Sequence, residues 1–131
     1  MYRWLDHTAE LALELAGDTP EQLFHEALAA FAELVAGGAQ RAERLRVPVE
    51  LEAATPADLL VAWLEELVFL ADTEQLVPEH AEALALDRGQ LRAVVVGSRG
   101  APRPLVKAVT YHGLRFEREG DGWHAGVVLD V

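Results

Sequence analysis

With 131 residues, 51% of them hydrophobic and 25% charged, the chain can bury a core of its own and reads as a single domain, 1–131. A net charge of −11 repels polyanions at long range, so direct nucleic-acid binding would need a local basic patch. The absence of cysteine excludes disulfides, thiolate ligands and a thiol nucleophile. With no apolar run near the roughly 20 residues a bilayer requires, and no basic-then-hydrophobic start, the expectation is a cytoplasmic protein without a membrane partner.

In chain order, residues 2–6 and 10–16 read as strands, because Leu11, Leu13 and Leu15 alternate with small or polar residues. Asp18-Thr19-Pro20-Glu21 then supplies a capping side chain, a first-turn proline and an early acid. Leu23, Phe24, Ala27, Leu28, Phe31 and Leu34 follow at helical spacing, and Gly37-Gly38 offers a stop. Arg44 to Glu52 alternates again. Thr55-Pro56-Ala57-Asp58 repeats the helix-start chemistry ahead of a strongly apolar run from Leu59 to Leu70, the expected central helix. Strand, Thr-Pro cap and helix thus occur twice, which suggests an internal duplication.

Beyond Asp72 the chain reads as β throughout. Leu84 to Leu86 and Leu91 to Val96 flank the turn Asp87-Arg88-Gly89-Gln90. Strands at 105–112, 114–118 and 123–131 follow, the last two joined by Glu119-Gly120-Asp121-Gly122. The expected fold is α+β, two helices packed on a mainly antiparallel sheet.

Four groups of residues could carry chemistry. Asp6-His7-Thr8-Ala9-Glu10 puts two carboxylates, an imidazole and a hydroxyl at a strand junction, where Asp and Thr also serve simply as turn formers. The last segment is apolar and β-branched up to Asp130 and the Val131 carboxylate. Those two acids either face water at a sheet edge or, if the strand lies beside the Glu10 junction, give an all-oxygen site for a hard cation. Lys107 is the single lysine of an arginine-rich chain, on a strand that alternation divides into Lys107, Val109 and Tyr111 on one face and Val106, Ala108, Thr110 and His112 on the other. His7, His112 and His124 match no zinc spacing and read as ordinary satisfied histidines. Arg41, Arg44 and Arg46 cluster, as do Arg99, Arg103 and Lys107. Without interleaved aromatics both clusters read as solvated faces. Glu65-Glu66 and Asp72-Thr73-Glu74, late in the second helix and just past it, oppose the helix dipole and read as a solvated helix end, with partner binding as the alternative.

In this order the fragments resemble the archease family: Asp6-His7-Thr8-Ala9-Glu10-Leu11, Trp63 to Leu70 with Asp72-Thr73-Glu74, Val106 to His112, and Val127 to Val131. The resemblance implies a non-catalytic activator of the RtcB-type RNA ligase in tRNA splicing, which promotes guanylylation of the ligase and repeated turnover and broadens its nucleotide use. It further implies a divalent cation, Ca²⁺ first with Mg²⁺ and Mn²⁺ as alternatives, held by Glu10, Asp130 and the Val131 carboxylate. Lys107, Asp6, His7 and His112 would form the partner-facing surroundings, and RNA would be met only through the ligase. The family pattern has Asp where this chain has Glu10; the extra methylene moves the carboxylate outward, and Asp6 is a candidate to supply the shorter arm.

Two other functions fit some of the same residues. One is a metal-dependent hydrolase using Glu10, Asp130 and His7 or His112, although no base or nucleophile constellation is evident. The other is a metal-free, chaperone-like interaction module.

Overall fold

Both helices begin with the same local chemistry. In the computed structural model, which describes residues 1–7, 10–36 and 43–131 (those of Asp6 and His7 without their side chains), the N-caps Thr19 and Thr55 have near-identical extended backbones, at φ −132°, ψ 157° and φ −135°, ψ 158°. The Thr19 hydroxyl accepts from the Gln22 amide at 3.3 Å, while the Gln22 side chain accepts from the Thr19 amide at 3.3 Å, a reciprocal capping box. The Thr55 hydroxyl accepts from the Asp58 amide at 3.1 Å. Helix α1 spans Pro20–Val35 and α2 spans Pro56–Glu74. The stop expected at Gly37-Gly38 lies outside the described residues; α1 ends at the C-cap Ala36.

The strands are β1 (Tyr2–His7), β2 (Glu10–Gly17), β3 (Glu43–Glu52), β4 (Leu76–Asp87), β5 (Gln90–Arg99), β6 (Ala108–Glu119) and β7 (Gly122–Asp130). They form two antiparallel sheets rather than one, a four-stranded sheet in the order β1-β2-β7-β6 and a three-stranded sheet in the order β3-β5-β4. The two strand–cap–helix units therefore feed different sheets, β2 the first and β3 the second. Each helix contacts strands of both sheets, so one apolar core runs through the molecule. The inward rows are Leu13, Leu15, Ala125, Val127 and Leu129 from one sheet and Val49, Leu91, Ala93 and Val95 from the other. Between them lie Phe24, Phe31, Leu60, Trp63 and Leu67 of the helices. Trp63 is fully buried and its indole N–H donates to the Phe24 carbonyl at 2.9 Å, which ties α2 to α1.

Three boundaries differ from the sequence reading. α2 continues through Asp72 to Glu74, and its C-cap Gln75 takes the left-handed conformation at φ 55°. The last turn contains no basic residue, and the cation that suits its carbonyls comes from β5, where the Arg99 guanidinium donates to the Glu74 carbonyl at 3.0 Å. β4 starts at Leu76, well before Leu84; two irregularities in its pairing, at Pro78/His80 and Glu82/Ala85, erase the alternation that would have announced it. The strands expected at 105–112 and 114–118 are one strand, β6, bulged between them, where five residue steps of β6 are matched by two of β7. Gly113 sits in that bulge at φ 66°. Among the described residues no helix is long and apolar enough to cross a membrane.

Because the Trp63 indole bridges the two helices in a dry core, Trp63→Phe removes the bond and opens a gap at once. Its unfolding free energy in urea should fall by about 1–3 kcal/mol with an unchanged slope. A loss below about 0.5 kcal/mol would mean that the helix–helix tie is dispensable.

Candidate functional site

The positions of the acids follow from the core. Leu11, Leu13 and Leu15 of β2 stand opposite Leu129, Val127 and Ala125 of β7, and apart from the half-buried Leu11 this row is buried. Directly paired residues project to the same side of a sheet, so the intervening residues are turned outward together. Glu10 is thereby set directly opposite Asp130, Ala12 opposite Val128 and Glu14 opposite Gly126. The row through the acids continues in both directions: His7 of β1 is the register partner of Glu10, and Ala108 of β6 is the partner of Asp130. The small Ala108 side chain leaves the Asp130 flank open. Asp6 is paired with Leu11, one step off this row. Thr8 and Ala9, with the side chains of Asp6 and His7, lie outside the described residues.

The electrostatics of this outer face are uneven. Glu14 is neutralised by two arginines: Arg3 pairs with it directly and Arg115 Nη2 lies 3.8 Å from its carboxylate. Gly126 permits the second contact, since a Cβ there would sit 3.1 Å from the Arg115 guanidinium as it passes over β7. Two rows along, no described cation pairs with the side chain of Glu10 or Asp130. Two carboxylates on directly opposed residues have Cβ atoms only about 5 Å apart, an arrangement that costs stability unless a positive charge joins them. Among the described residues no three His, Cys, Asp or Glu side chains are grouped for a metal. The side-chain donors available at this edge are two carboxylates, an all-oxygen anionic pair that suits a hard cation such as Ca²⁺, Mg²⁺ or Mn²⁺ and not a soft metal.

Lys107 lies just before β6, not within it. Its amide donates to the Asp130 carbonyl at 2.8 Å, while its exposed side chain forms no ion pair among the described residues. The lysine is thus fixed beside the acids through its backbone, with the ammonium left to solvent. The expected sharing of a face by Val109 and Tyr111 fails at the bulge, where Val109 is 8% exposed and Tyr111 63%. His112 is exposed in the same bulge, its amide donating to the Thr110 hydroxyl at 3.3 Å. His124 is paired with Ala16, six residues along β7 from Asp130 or about 20 Å away, and lies 3.8 Å from Glu119; the histidines are not gathered into a site.

Arg44 and Arg46 of the first basic cluster and Arg99 of the second are paired with acids, whereas Arg103 and Lys107 form no ion pair among the described residues. Arg44 meets Glu79 at 2.5 Å and Arg46 meets Glu82 at 2.7 Å, while Arg99 meets Glu43 at 3.0 Å. Arg46 first, then His80, hold the Glu82 carboxyl below its ordinary range. The Glu79 carboxylate also accepts from the buried Ser98 hydroxyl at 2.9 Å. This is a solvated salt-bridge lattice on the three-stranded sheet. Arg41 lies outside the described residues.

Comparison with known proteins agrees with the order of these fragments. The family model described as the Archease protein family matches residues 2–131. Protein archease of Methanosarcina acetivorans is 34% identical over 140 residues, spanning 99% of this chain and 95% of its own length. Protein archease of Pyrococcus furiosus is 30% identical over 142 residues, with 100% of both chains covered. The solution structure of Methanobacterium thermoautotrophicum protein 1598 superposes with a TM-score of 0.75 at 27% identity, covering 99% of this chain and 98% of that one. A Thermotoga maritima crystal structure, of an archease described as a possible chaperone, shares the fold with a TM-score of 0.69 at 24% identity, covering 100% of this chain and 98% of its own.

Glu10 and Asp130 should behave as mutually repelling charges in metal-free protein. With a chelator present, Glu10→Gln or Asp130→Asn is expected to raise the unfolding free energy in urea by about 0.2–1 kcal/mol. Glu14→Gln, which breaks the arginine pairs, should lower it. Equal effects for all three would contradict the contrast between compensated and uncompensated acids.

Proposed function

The chain belongs to the archease family, and we propose on that premise that it is a non-catalytic activator of an RtcB-type RNA ligase, the enzyme that joins tRNA halves in splicing. It promotes guanylylation of the ligase and repeated turnover and broadens the nucleotides the ligase accepts. The observation that carries the reading is the uncompensated acid pair, Glu10 directly opposite Asp130. In this reading the two carboxylates and the Val131 carboxylate hold a divalent cation, Ca²⁺ foremost. The cation would offset their repulsion and present a positive centre, with coordination positions still open to partner oxygens.

Glu10 replaces the family's usual aspartate. Its longer arm is tolerated by a cation with flexible oxygen coordination better than by one that demands a fixed octahedron, which favours Ca²⁺ over Mg²⁺ here. The protein's own residues would do three things: Glu10 and Asp130 bind, the Lys107 amide fixes the Asp130 backbone, and the Lys107 ammonium stays available to an anionic group of the partner. RNA is met only through the ligase, consistent with the neutralised arginines of the three-stranded sheet. The working location is the cytoplasm. A metal-dependent hydrolase finds less support, since His112 stands in an exposed bulge of β6 with no carboxylate partner among the described residues.

The test is guanylylation and multiple-turnover ligation by an RtcB-type ligase with and without this protein. Wild type should convert a single-turnover reaction into repeated cycles. Asp130→Ala, which removes a carboxylate, and separately removal of Val131, which draws the terminal carboxylate back by one residue onto Asp130, should each lower stimulation at saturating protein by about tenfold or more, at least the loss that disturbing an outer-shell partner causes. Full stimulation by both variants would leave the metal-free interaction module as the better reading.

A further inference from the structure

Helix α2 carries an unpartnered outer face. Its inner residues, from Leu59 and Leu60 through Trp63, Leu64 and Leu67 to Leu70, are buried. On the opposite side Phe69 is 56% exposed; among the described residues Tyr111 is the one other large aromatic side chain so exposed. Helical spacing surrounds this ring with acids, Glu65 and Glu66 one turn before it and Asp72 one turn after. None of the three carboxylates forms an ion pair among the described residues, as is also true of Glu21, Glu33, Glu52 and Asp87, and here they flank an exposed aromatic ring. The arrangement does not serve the helix: Asp72 sits near the negative end of the dipole, and a solvated phenyl ring loses the burial that would repay it.

We propose that this face, Phe69 ringed by Glu65, Glu66 and Asp72, is a docking surface for a basic protein surface with an apolar pocket, and that its occupant is the RNA ligase. The inference rests on the ligase reading above. The ring would supply a desolvated anchor and the acids the steering field and register. Charge complementarity decides the occupant. A second copy of a −11 chain would place the same acids against each other across a two-fold contact, and an anionic membrane surface would be repelled. A ligase that handles RNA needs cationic surface, and this face is its complement.

The test measures binding of the full-length protein to the ligase as a function of salt. Phe69→Ala and the double variant Glu65→Arg, Asp72→Arg should each weaken the dissociation constant by about tenfold or more. The double variant should also flatten the salt dependence. Because the substituted side chains are exposed and Asp72 opposes the helix dipole, thermal midpoints should not fall, the double variant's staying equal or rising slightly, and stimulation at saturating protein should be unchanged. Wild-type binding with both variants within about twofold would overturn this inference alone. No binding by wild type would overturn the ligase reading and this inference with it. Concentration-dependent self-association abolished by Phe69→Ala would overturn it in favour of a second copy.

Discussion

The register between β2 and β7 is the constraint from which the rest follows. Leu11, Leu13 and Leu15 must meet Leu129, Val127 and Ala125 to close the core of the four-stranded sheet. Because strand side chains alternate with a period of two, a slip of one residue would expose that row and bury the acids. The core therefore forces Glu10 and Asp130 onto one face and directly opposite each other. Apolar burial, worth roughly 1.5–3 kcal/mol per large side chain, outweighs the repulsion it imposes. A functional site here is a charge conflict that the fold's largest favourable term holds in place.

The same logic explains how a net charge of −11 is distributed. Arginines are spent where acids are structural: across the three-stranded sheet by Arg44, Arg46 and Arg99, and at Glu14 by Arg3 and Arg115. Surface pairs of this kind contribute little each, so their value lies mainly in removing like-charge contacts. Among the described acids left without a cationic partner are the Glu10–Asp130 row and the outer face of α2. Both are where an approaching cation or basic partner gains most.

Much of this was legible in the sequence because it is local. The Thr-Pro starts of both helices, the alternation of Leu11 to Leu15 and the hairpin before Trp123 report their own conformations. Glu10 and Asp130 are legible as oxygen donors at a strand junction and a strand end, but their meeting requires a pairing that no local pattern encodes. Sheet membership is non-local in the same way: nothing in β2 or β3 says that one joins β7 and the other β5. The first half of β4 is not legible in the sequence because Pro78 and Ala83, the latter at φ 53°, break its alternation. The break read at Gly113 was real as a backbone feature, yet it proved to be a bulge within β6. α2 runs a turn further than its apolar pattern, and the Glu74 carbonyl at its end accepts from Arg99, a cation on another strand.

The most direct measurement is calorimetric titration of Ca²⁺ into chelator-stripped wild type, Glu10→Gln, Asp130→Asn and the double variant. If the two carboxylates share one cation, wild type binds a single equivalent, each single variant loses most of the affinity, and the double variant loses less than the sum of the two. Absence of binding by wild type, or losses that simply add as for independent sites, would contradict the account.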